Sequence, residues 1–434
     1  MSGKVSYGPL DFDFKEKSVT YRIDPSKQLF LHPAEPLSYI ILQEDGLVKA
    51  KNGLTGKIDF SGTDAASVIQ QALNALTPNR TWKEKVVLKG DFSLTVPLNV
   101  PAYTILDIQG RLQAKGINAI QININGTSYV PFVDILNGII DGVDASGGTG
   151  ISSKGHYCNF VNLDIRNFYV GLSLGWTSAY SCGDNLISRV NCHNNRYEGV
   201  LIQSNDNMIN FLTSYQNETG LRLNGQGGLL ASNVHLWGNT DNGLSITSSI
   251  NDYFLNLESE NNANYGILIG SGVGNVTNEK FVNVWVWGNG GATNKGVGLG
   301  AASPYSVNDV VFIGGKIDKA LEKWNYVNRV FIRNVDLKDC TVISGFASGE
   351  IRYCKGYVTE NSGTVTFSGN GTQTQFTIAH GLAGTPTSVS VTPASNDAKG
   401  TFYVTVDATN IYVNYATAPP AGTNNVVLYW SASM

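Results

Sequence analysis

A repeat in the middle of the chain is the sequence feature that most constrains its fold. Each copy consists of Asn, three further residues, Gly and a triplet in which one apolar residue stands on each side of a variable residue. Full copies begin at Asn167, Asn195, Asn239 and Asn262, and a copy that is one residue shorter begins at Asn217. The glycines at 199, 220, 243 and 266 are 21, 23 and 23 residues apart. A coil of that length cannot bury its own apolar face, so successive coils must stack and share one core. The repeat therefore predicts a β-solenoid between about residues 155 and 345.

The composition is typical of stacked coils with tight corners. The 434 residues include 48 glycines, whereas only 15% of residues are charged. Asparagine tolerates the left-handed conformation of a corner and can form side-chain ladders along a stack, and glycine allows positive φ beside it. The net charge of −4, without a block of like charge, argues against nucleic acid and anionic membrane as partners. No apolar run approaches the roughly 20 residues of a membrane helix, and the N-terminus lacks the apolar core of a signal peptide.

Three regions differ in their patterning. Residues 1–55 alternate short apolar and polar runs, which predicts a small N-terminal β module. Residues 56–360 hold the solenoid and begin with one helix at about 63–76, with Thr63 or Asp64 as the N-cap and Pro78 after its end. Residues 361–434 alternate with period 2 between turn signals, which predicts an antiparallel β-sandwich. The expected fold class is all-β.

Two segments carry a resemblance to a known family. GTDAASVIQQALNAL, followed by VVLKGDFSLTVPLNVPAYTILDIQGRL, resembles the entry into right-handed parallel β-helices of the pectate-lyase-like superfamily, where a capping helix leads into a Gly-rich first coil. The resemblance covers about residues 57–360 and implies that fold. It does not imply one chemistry, because lyases, hydrolases, epimerases and virus tailspikes share the fold. In the tail, FTIAHGL and TPTSVSVTP resemble modules at the ends of viral tail fibres, including those of archaeal viruses.

Most enzyme signatures of that superfamily are missing. Asn239-Thr240-Asp241 matches the NTD motif of polygalacturonase-like members, but it lies in the repeated turn, and no adjacent aspartates, GHG or R-x-K follow it. Calcium-dependent lyases need clustered acidic ligands and an Arg or Lys base, and the columns described next contain no Arg or Lys. No cofactor and no metal site is expected, and five cysteines without a CxxC pair predict no zinc module.

Alignment of the coils on the turn asparagine places polar and aromatic residues in two columns. Two residues before that asparagine stand His193, Tyr215, Trp237, Glu260 and Trp287, and four residues before it stand Asn191, Thr213, His235, Glu258 and Trp285. The positions between them are apolar or small. Because successive strand residues face opposite sides, both columns are expected to face solvent on one sheet.

The columns have two interpretations. Aromatic faces pack on sugar rings while polar neighbours bond hydroxyls, which predicts a glycan-binding surface formed by His193, Tyr215, His235, Trp237, Trp285 and Trp287. Tryptophan and tyrosine are also enriched at subunit interfaces, so the same residues are candidates for a trimer contact. Glu258 and Glu260 are candidate paired carboxylates for glycoside hydrolysis, although two glutamates on an exposed strand also serve solubility alone.

The sequence as a whole predicts a virion tail fibre or spike protein that recognises host cell-surface carbohydrate. The expected partners are a host glycan or glycoprotein, other virion proteins that bind the N-terminal module, and further copies of the chain in a homotrimer. The expected location is the virion surface or the extracellular space. A glycan depolymerase of the same fold and a purely structural virion or cell-surface protein are the alternatives.

Overall fold

The structure, a computed structural model, describes residues 3–7, 10–15, 18–23, 37–122, 132–175, 182–270, 273–347 and 349–434. Within these residues, 27 strands join into one continuous sheet. The first three, Leu37–Glu44, Leu47–Asn52 and Ile58–Gly62, pair antiparallel with one another, and the later strands wind as a parallel β-helix. Val190 pairs with Leu212, Leu212 with Val234, and Val234 with Leu257, so one position recurs in each following coil. The predicted solenoid is confirmed.

The strands of this sheet are β4 (Leu37–Glu44), β5 (Leu47–Asn52), β6 (Ile58–Gly62), β7 (Glu84–Ser93), β8 (Leu98–Asn99), β9 (Thr104–Gln113), β10 (Ile120–Ile122), β11 (Asp134–Leu136), β12 (Ile139–Asp141), β13 (Thr149–Ser153), β14 (Asn159–Arg166), β15 (Val170–Leu174), β16 (Leu186–His193), β17 (Glu198–Ile202), β18 (Met208–Tyr215), β19 (Thr219–Gly227) and β20 (Leu230–Trp237). It continues with β21 (Leu244–Ile250), β22 (Tyr253–Glu260), β23 (Ile267–Ile269), β24 (Val276–Trp287), β25 (Val297–Leu299), β26 (Val307–Ile317), β27 (Lys319–Lys323), β28 (Val327–Arg333), β29 (Cys340–Ser344) and β30 (Ile351–Arg352). A short 3-10 helix spans Gly291–Thr293.

Each coil is a ribbon bent at residues with positive φ. In β18, Ile209, Leu212 and Ser214 are fully buried, and Phe211, at φ 61°, bends the strand between the first two of them. Asn233 takes the same corner in the next coil, at φ 55°. Since the corner residue shifts the alternation by one position, these eight-residue strands do not follow a strict period of 2.

A buried asparagine ladder runs through the stack. Its members, one per coil and each at most 3% exposed, are Asn195, Asn217, Asn239, Asn262 and Asn289. From Asn217 onwards, the side-chain oxygen of each accepts a hydrogen bond from the backbone N–H of the ladder asparagine one coil earlier, at 2.9–3.0 Å. The side-chain amides donate to the same oxygens at 2.8–3.3 Å. The expected side-chain ladder is confirmed.

The corner chemistry differs from the sequence expectation. The left-handed residue is not the ladder asparagine but the residue before it, which is Asn194, Gln216, Gly238, Asn261 or Gly288. The repeat glycines do not have positive φ; they are needed for space. A Cβ added to Gly243 would lie 2.1 Å from the Ser259 hydroxyl and 2.8 Å from the side-chain nitrogen of Asn262. Each repeat glycine therefore makes room for the ladder asparagine of the following coil.

The repeat pattern aligns Asn167 with the ladder asparagines, and the structure corrects this alignment by one residue. Asn167 takes the left-handed corner, at φ 60°. Phe168 fills the buried position, and its backbone N–H donates to the side-chain oxygen of Asn195 at 3.0 Å. A phenyl ring cannot accept the hydrogen bond of the coil below, so the ladder begins at Asn195.

The N-terminal end of the β-helix is covered by a small helix. Strands β1 (Gly3–Tyr7), β2 (Leu10–Lys15) and β3 (Ser18–Ile23) form an antiparallel sheet of their own, whereas β4 pairs in parallel with β7. Helix α1 (Ala65–Asn74) begins after Asp64, whose carboxylate accepts the N–H of Ala66 at 3.2 Å. Its buried face packs on the core with Val68, Ile69 and Leu73. The expected capping helix is confirmed, and no helix among the described residues has the length and apolar character needed to span a bilayer.

The C-terminal region forms two antiparallel three-stranded sheets around a separate core. One sheet contains β31 (Glu360–Gly369), β36 (Gly422–Ser433) and β33 (Ser388–Pro393), and the other contains β32 (Gln375–Ala379), β35 (Asn410–Tyr415) and β34 (Phe402–Val406). The expected sandwich is confirmed. His380 is buried in its core, where one ring nitrogen accepts the N–H of Leu382 at 3.0 Å and the other lies 3.2 Å from the carbonyl oxygen of Asp407. This histidine therefore structures a turn.

Two carboxyl groups are buried in neighbouring coils of the β-helix. Asp252 and Glu279 are 1% and 0% exposed and directly precede the paired residues Tyr253 and Lys280. Burial and the neighbouring Asp252 raise the pKa of Glu279 to about 10. The Glu279 carboxyl is therefore protonated in the folded protein at neutral pH.

Replacement of a ladder residue should weaken the fold. In Asn239→Ala the backbone N–H of Asn217 loses its acceptor, and the side-chain oxygen of Asn262 loses one of its donors. Because both groups are buried, we expect the free energy of unfolding to fall by about 2–4 kcal/mol. Urea unfolding measures the change. Asn191→Ala, on the exposed face of the same sheet, is the matched control and should stay within about 0.5 kcal/mol of the wild type. Equal stability of both variants would contradict a stabilising ladder.

Replacement of Glu279 should change how stability depends on pH. Folding raises the pKa of this group from its ordinary 4.5 to about 10, so its contribution is fully present below pH 4.5 and is lost as the pH rises towards 10. Glu279→Gln should remove that slope and gain roughly 3 kcal/mol at neutral pH. Urea unfolding at a series of pH values measures both effects, with Glu360→Gln on the exposed C-terminal sheet as the control. A wild-type slope in Glu279→Gln would refute the assignment.

Candidate functional site

The structure places the two predicted columns in register on the outer face of one sheet. His193 pairs with Tyr215, Tyr215 with Trp237, Trp237 with Glu260, and Glu260 with Trp287. The second column follows the order Asn191, Thr213, His235, Glu258 and Trp285. The side chains between the columns are buried, among them Ser214, Leu236 and Val286. The predicted alignment and its outward direction are confirmed.

Three rings of the first column form a continuous stack. The rings of His193 and Tyr215 are 4.6 Å apart and those of Tyr215 and Trp237 are 4.5 Å apart, with 6° between the planes in both pairs. The faces between these rings therefore cover each other along the helix axis. Tyr215 has no free ring face for a sugar, whereas the outer face of Trp237 is turned towards Glu260 of the next coil, which is not a ring. The contacts between the three rings stabilise the stacking of the coils.

The stack begins beside the carboxylate of Asp164, which lies in the preceding coil. This carboxylate is 3.2 Å from Nε2 of His193, and the hydrogen bond between them raises the pKa of the histidine. Burial also raises the pKa of Tyr215. Arg166 lies one coil before His193 in the same column and contacts Asp141 at 3.4 Å. The sequence alignment misses this extension because Arg166 lies two residues before Phe168, whereas alignment on Asn167 places the buried Ile165 in the column.

Glu258 and Glu260 converge with His235 at the other end of the stack. Oε1 of Glu260 lies 3.0 Å from Nε2 of His235, and its Oε2 accepts a hydrogen bond from the Asn261 side chain at 3.1 Å. Oε1 of Glu258 accepts a hydrogen bond from the indole N–H of Trp287 at 3.1 Å. One ligand atom from each of His235, Glu258 and Glu260 lies within 4.8 Å of the others, a set of donors that can hold a divalent cation. The sequence predicts no metal site, and it does not show that these three side chains converge.

Trp285 and Trp287 stand side by side on β24 and are 49% and 37% exposed. In the coil before them, their register neighbours are Glu258 and Glu260, whose side chains are not rings. Neither indole is part of a ring stack with another described residue, so both keep aromatic surface that a ligand can contact. We call His235, Glu258, Glu260, Trp285 and Trp287 the acidic–aromatic patch. The coil after it contributes Lys316, which pairs with Trp285 and is bound to Asp339 at 2.6 Å.

A second aromatic series, which the sequence analysis missed, lies at a corner near the N-terminal end. The rings of Tyr103, Phe132 and Tyr157 follow one another at 5.3 and 5.1 Å. All three residues have positive φ, at 54°, 65° and 57°, a conformation that costs a bulky residue roughly 1–2 kcal/mol. The only sequence signal is that these aromatic residues recur at coil-like spacing. Their faces also stack on each other.

Two surface cavities lie away from the patch. One of about 690 Å³ lies beside the C-terminal end of α1, with Arg80 and Tyr103 in its wall, and one of about 450 Å³ lies on the C-terminal sandwich between Glu360 and Ser433. The patch itself is an open face of a flat sheet. Such a face suits a long polymer better than an enclosed small molecule.

Comparison with known families identifies the class of fold. The family model described as right handed beta helix region matches residues 134–311, from β11 into β26, and this range includes the whole acidic–aromatic patch. The central part of the chain is thus a right-handed parallel β-helix, and the expected family resemblance is confirmed. Comparison with curated protein sequences finds no match.

The chain is similar to several solved structures at low sequence identity. The Dettilon tailspike protein has 11% identity and a TM-score of 0.49, over 86% of this chain and 91% of that one. The A-module of the mannuronan C-5 epimerase AlgE6 from Azotobacter vinelandii has 14% identity and a TM-score of 0.47, over 67% and 95%. The gp54 tailspike of Acinetobacter baumannii bacteriophage AP22, in complex with A. baumannii capsular saccharide, has 12% identity and a TM-score of 0.41, over 81% and 68%. The expected link to archaeal viruses finds no support in these comparisons.

Proposed function

We propose that this protein is a virion tail fibre or spike that recognises host cell-surface carbohydrate, with the acidic–aromatic patch as the contact surface. The observation that carries the proposal is the pair of exposed tryptophans beside two carboxylates and an imidazole. Indole faces pack on the apolar face of a sugar ring, and carboxylates and imidazoles bond its hydroxyl groups. Such a combination of exposed rings and charged groups calls for a ligand.

The geometry narrows the surface that the sequence predicted. Of the six predicted glycan contacts, His193, Tyr215 and Trp237 form the ring stack, in which the faces between the rings are covered. His235, Trp285 and Trp287 remain as contacts, together with the two glutamates. A glycan that follows the column would run along the helix axis, because the register neighbours of the patch lie in that direction.

The remaining parts of the proposal concern partners and location. The order of N-terminal module, β-helix and C-terminal sandwich supports a protein that is attached to other virion proteins through its first residues and is displayed on the virion surface or in the extracellular space. We propose a homotrimer whose interface buries exposed aromatic residues outside the patch, such as Trp324 and Phe331, because aromatic residues are enriched at subunit interfaces. Light scattering tests this assembly, and a stable monomer would argue against it.

A second candidate function is cleavage of the bound glycan. It is favoured by the carboxylate oxygens of Glu258 and Glu260, which come within 4.8 Å of each other. Paired carboxyl groups about 5 Å apart are the geometry of retaining glycosidases. Both groups lie on one side of one strand, however, and hydrolysis requires them to flank the scissile bond. Binding without cleavage is therefore the function that the geometry supports best.

Replacement of either exposed tryptophan of the patch should weaken glycan binding. Trp285→Ala and Trp287→Ala each remove an aromatic contact, so we expect affinity for the glycans that the wild type retains on an array to fall about tenfold or more. Trp82→Ala is the matched control, because that indole is also exposed but lies outside the patch. Tyr215→Ala should lower thermal stability and leave binding unchanged. Dissociation of an oligomer in the two patch variants, with glycan binding intact, would instead assign the patch to an interface.

Replacement of both glutamates should separate binding from cleavage. If the protein only binds glycan, wild type and the double variant Glu258→Gln, Glu260→Gln should both release no new reducing ends from host-envelope polysaccharide. Release by wild type that the double variant loses would support the depolymerase. Release that the double variant retains would show that catalysis uses other residues.

A further inference from the structure

The acidic–aromatic patch carries negative charge that the protein does not neutralise. Among the described residues, neither Glu258 nor Glu260 forms an ion pair with lysine or arginine, and the basic side chain that contacts Glu260 is His235. Two lysines of the following coils are engaged elsewhere, Lys316 with Asp339 at 2.6 Å and Lys280 over the ring of Tyr253 at 5.4 Å. Elsewhere on the same sheet carboxylates are paired with bases, as Asp141 is with Arg166. The patch is therefore unusual on its own surface.

One carboxylate oxygen has room for a further donor. Both oxygens of Glu260 are bonded, to His235 and to Asn261. Glu258 receives one hydrogen bond from the described residues, the indole N–H of Trp287 to its Oε1. Its Oε2 receives none from them, and Glu258 is only half-buried. A ligand donor that reaches Glu258 completes its hydrogen bonding without breaking a contact of the protein.

The aromatic rings of the patch attract positive charge, as the carboxylates do. The faces of indole rings carry negative potential and attract cations, and tryptophan does so best among aromatic residues. Trp285 neighbours Glu258 directly in register, so a cationic group bound to Glu258 lies beside that ring. An acidic sugar at this position would meet two carboxylates and two indole faces, all of which repel it.

From these observations we infer that the patch selects a sugar unit with a free ammonium group, that is, an amino sugar without its acetyl group, whose ammonium binds Glu258 while its ring lies on Trp285 or Trp287. The inference rests on the proposed carbohydrate recognition and names the class of sugar. The other cation that the patch suits is a divalent metal held by His235, Glu258 and Glu260. The sugar ammonium is favoured because a metal would displace the hydrogen bond between His235 and Glu260, whereas the ammonium leaves it in place.

The experiment compares three probes that differ mainly in charge. They are a β-linked glucosamine tetramer with free amines, the same tetramer fully N-acetylated, and an acidic tetramer of galacturonic acid. Affinities are measured by calorimetry in mildly acidic, low-salt buffer with EDTA. We expect the free amine to bind about tenfold more tightly than the N-acetylated probe, a difference of about 1.4 kcal/mol. The preference should shrink in about 0.5 M NaCl, which screens a half-exposed ion pair.

Matched variants separate charge from stacking. Glu258→Gln should remove most of the preference for the amine and leave the weaker binding of the N-acetylated tetramer unchanged. Trp285→Ala should weaken both. Glu360→Gln, an exposed glutamate of the C-terminal sheet, should behave as wild type. Because Gln has nearly the size of Glu, Glu258→Gln is not expected to unfold the coil, and a thermal melt checks this.

Each other result has a defined meaning. Equal or tighter binding of the N-acetylated or acidic tetramer overturns the inference and leaves carbohydrate recognition standing. Binding of the amine that appears only with added Mn²⁺ or Ca²⁺ in place of EDTA also overturns it, in favour of a metal site. If the amine does not bind while a glycan array retains neutral or acidic glycans, the inference fails; if the array retains nothing at all, the proposed function fails as well.

Discussion

The stacking register between successive coils is the constraint on which the rest of this structure depends. On the face that carries the columns, the strands β14, β16, β18, β20, β22 and β24 pair in parallel without a register shift, so a residue type repeated at the coil spacing becomes a straight column. The buried asparagine ladder holds this register from inside. A slip of one residue would turn each ladder amide to the opposite face and leave its partners unbonded. The repeat glycines serve the same end, since they keep free the space that the next amide occupies.

On the outer face the same register makes the order of residue types decisive. Layers succeed one another at about 4.8 Å, which is close to the separation at which rings stack. Where rings follow rings, as in His193, Tyr215 and Trp237, the faces between neighbouring rings cover each other. Where carboxylates precede rings, as Glu258 and Glu260 precede Trp285 and Trp287, the indoles keep surface for a ligand. One column thus contains both a stabilising stack and the candidate site.

The sequence predicts the columns well because spacing alone determines them. Coil length, the capping helix and the outward position of all eight predicted site residues follow from periodicity. Ring orientation does not, because it depends on side-chain torsions that a pattern does not encode. Glu279 is missed for a backbone reason: Asn278, directly before it, is left-handed at φ 62°, so the alternation shifts and the glutamate turns inward. The aromatic corner at Tyr103, Phe132 and Tyr157 is missed because bulky residues rarely take positive φ.

The asparagine ladder also has a mechanical consequence. The hydrogen bonds between coils run along the helix axis, so tension along that axis loads the coil interfaces in series, and the weakest interface gives way first. The ladder adds interior amide bonds to the interfaces between Asn195 and Asn289. Under load, separation should therefore start outside this segment, and the acidic–aromatic patch, which lies within it, would keep its geometry while the ends of the β-helix yield.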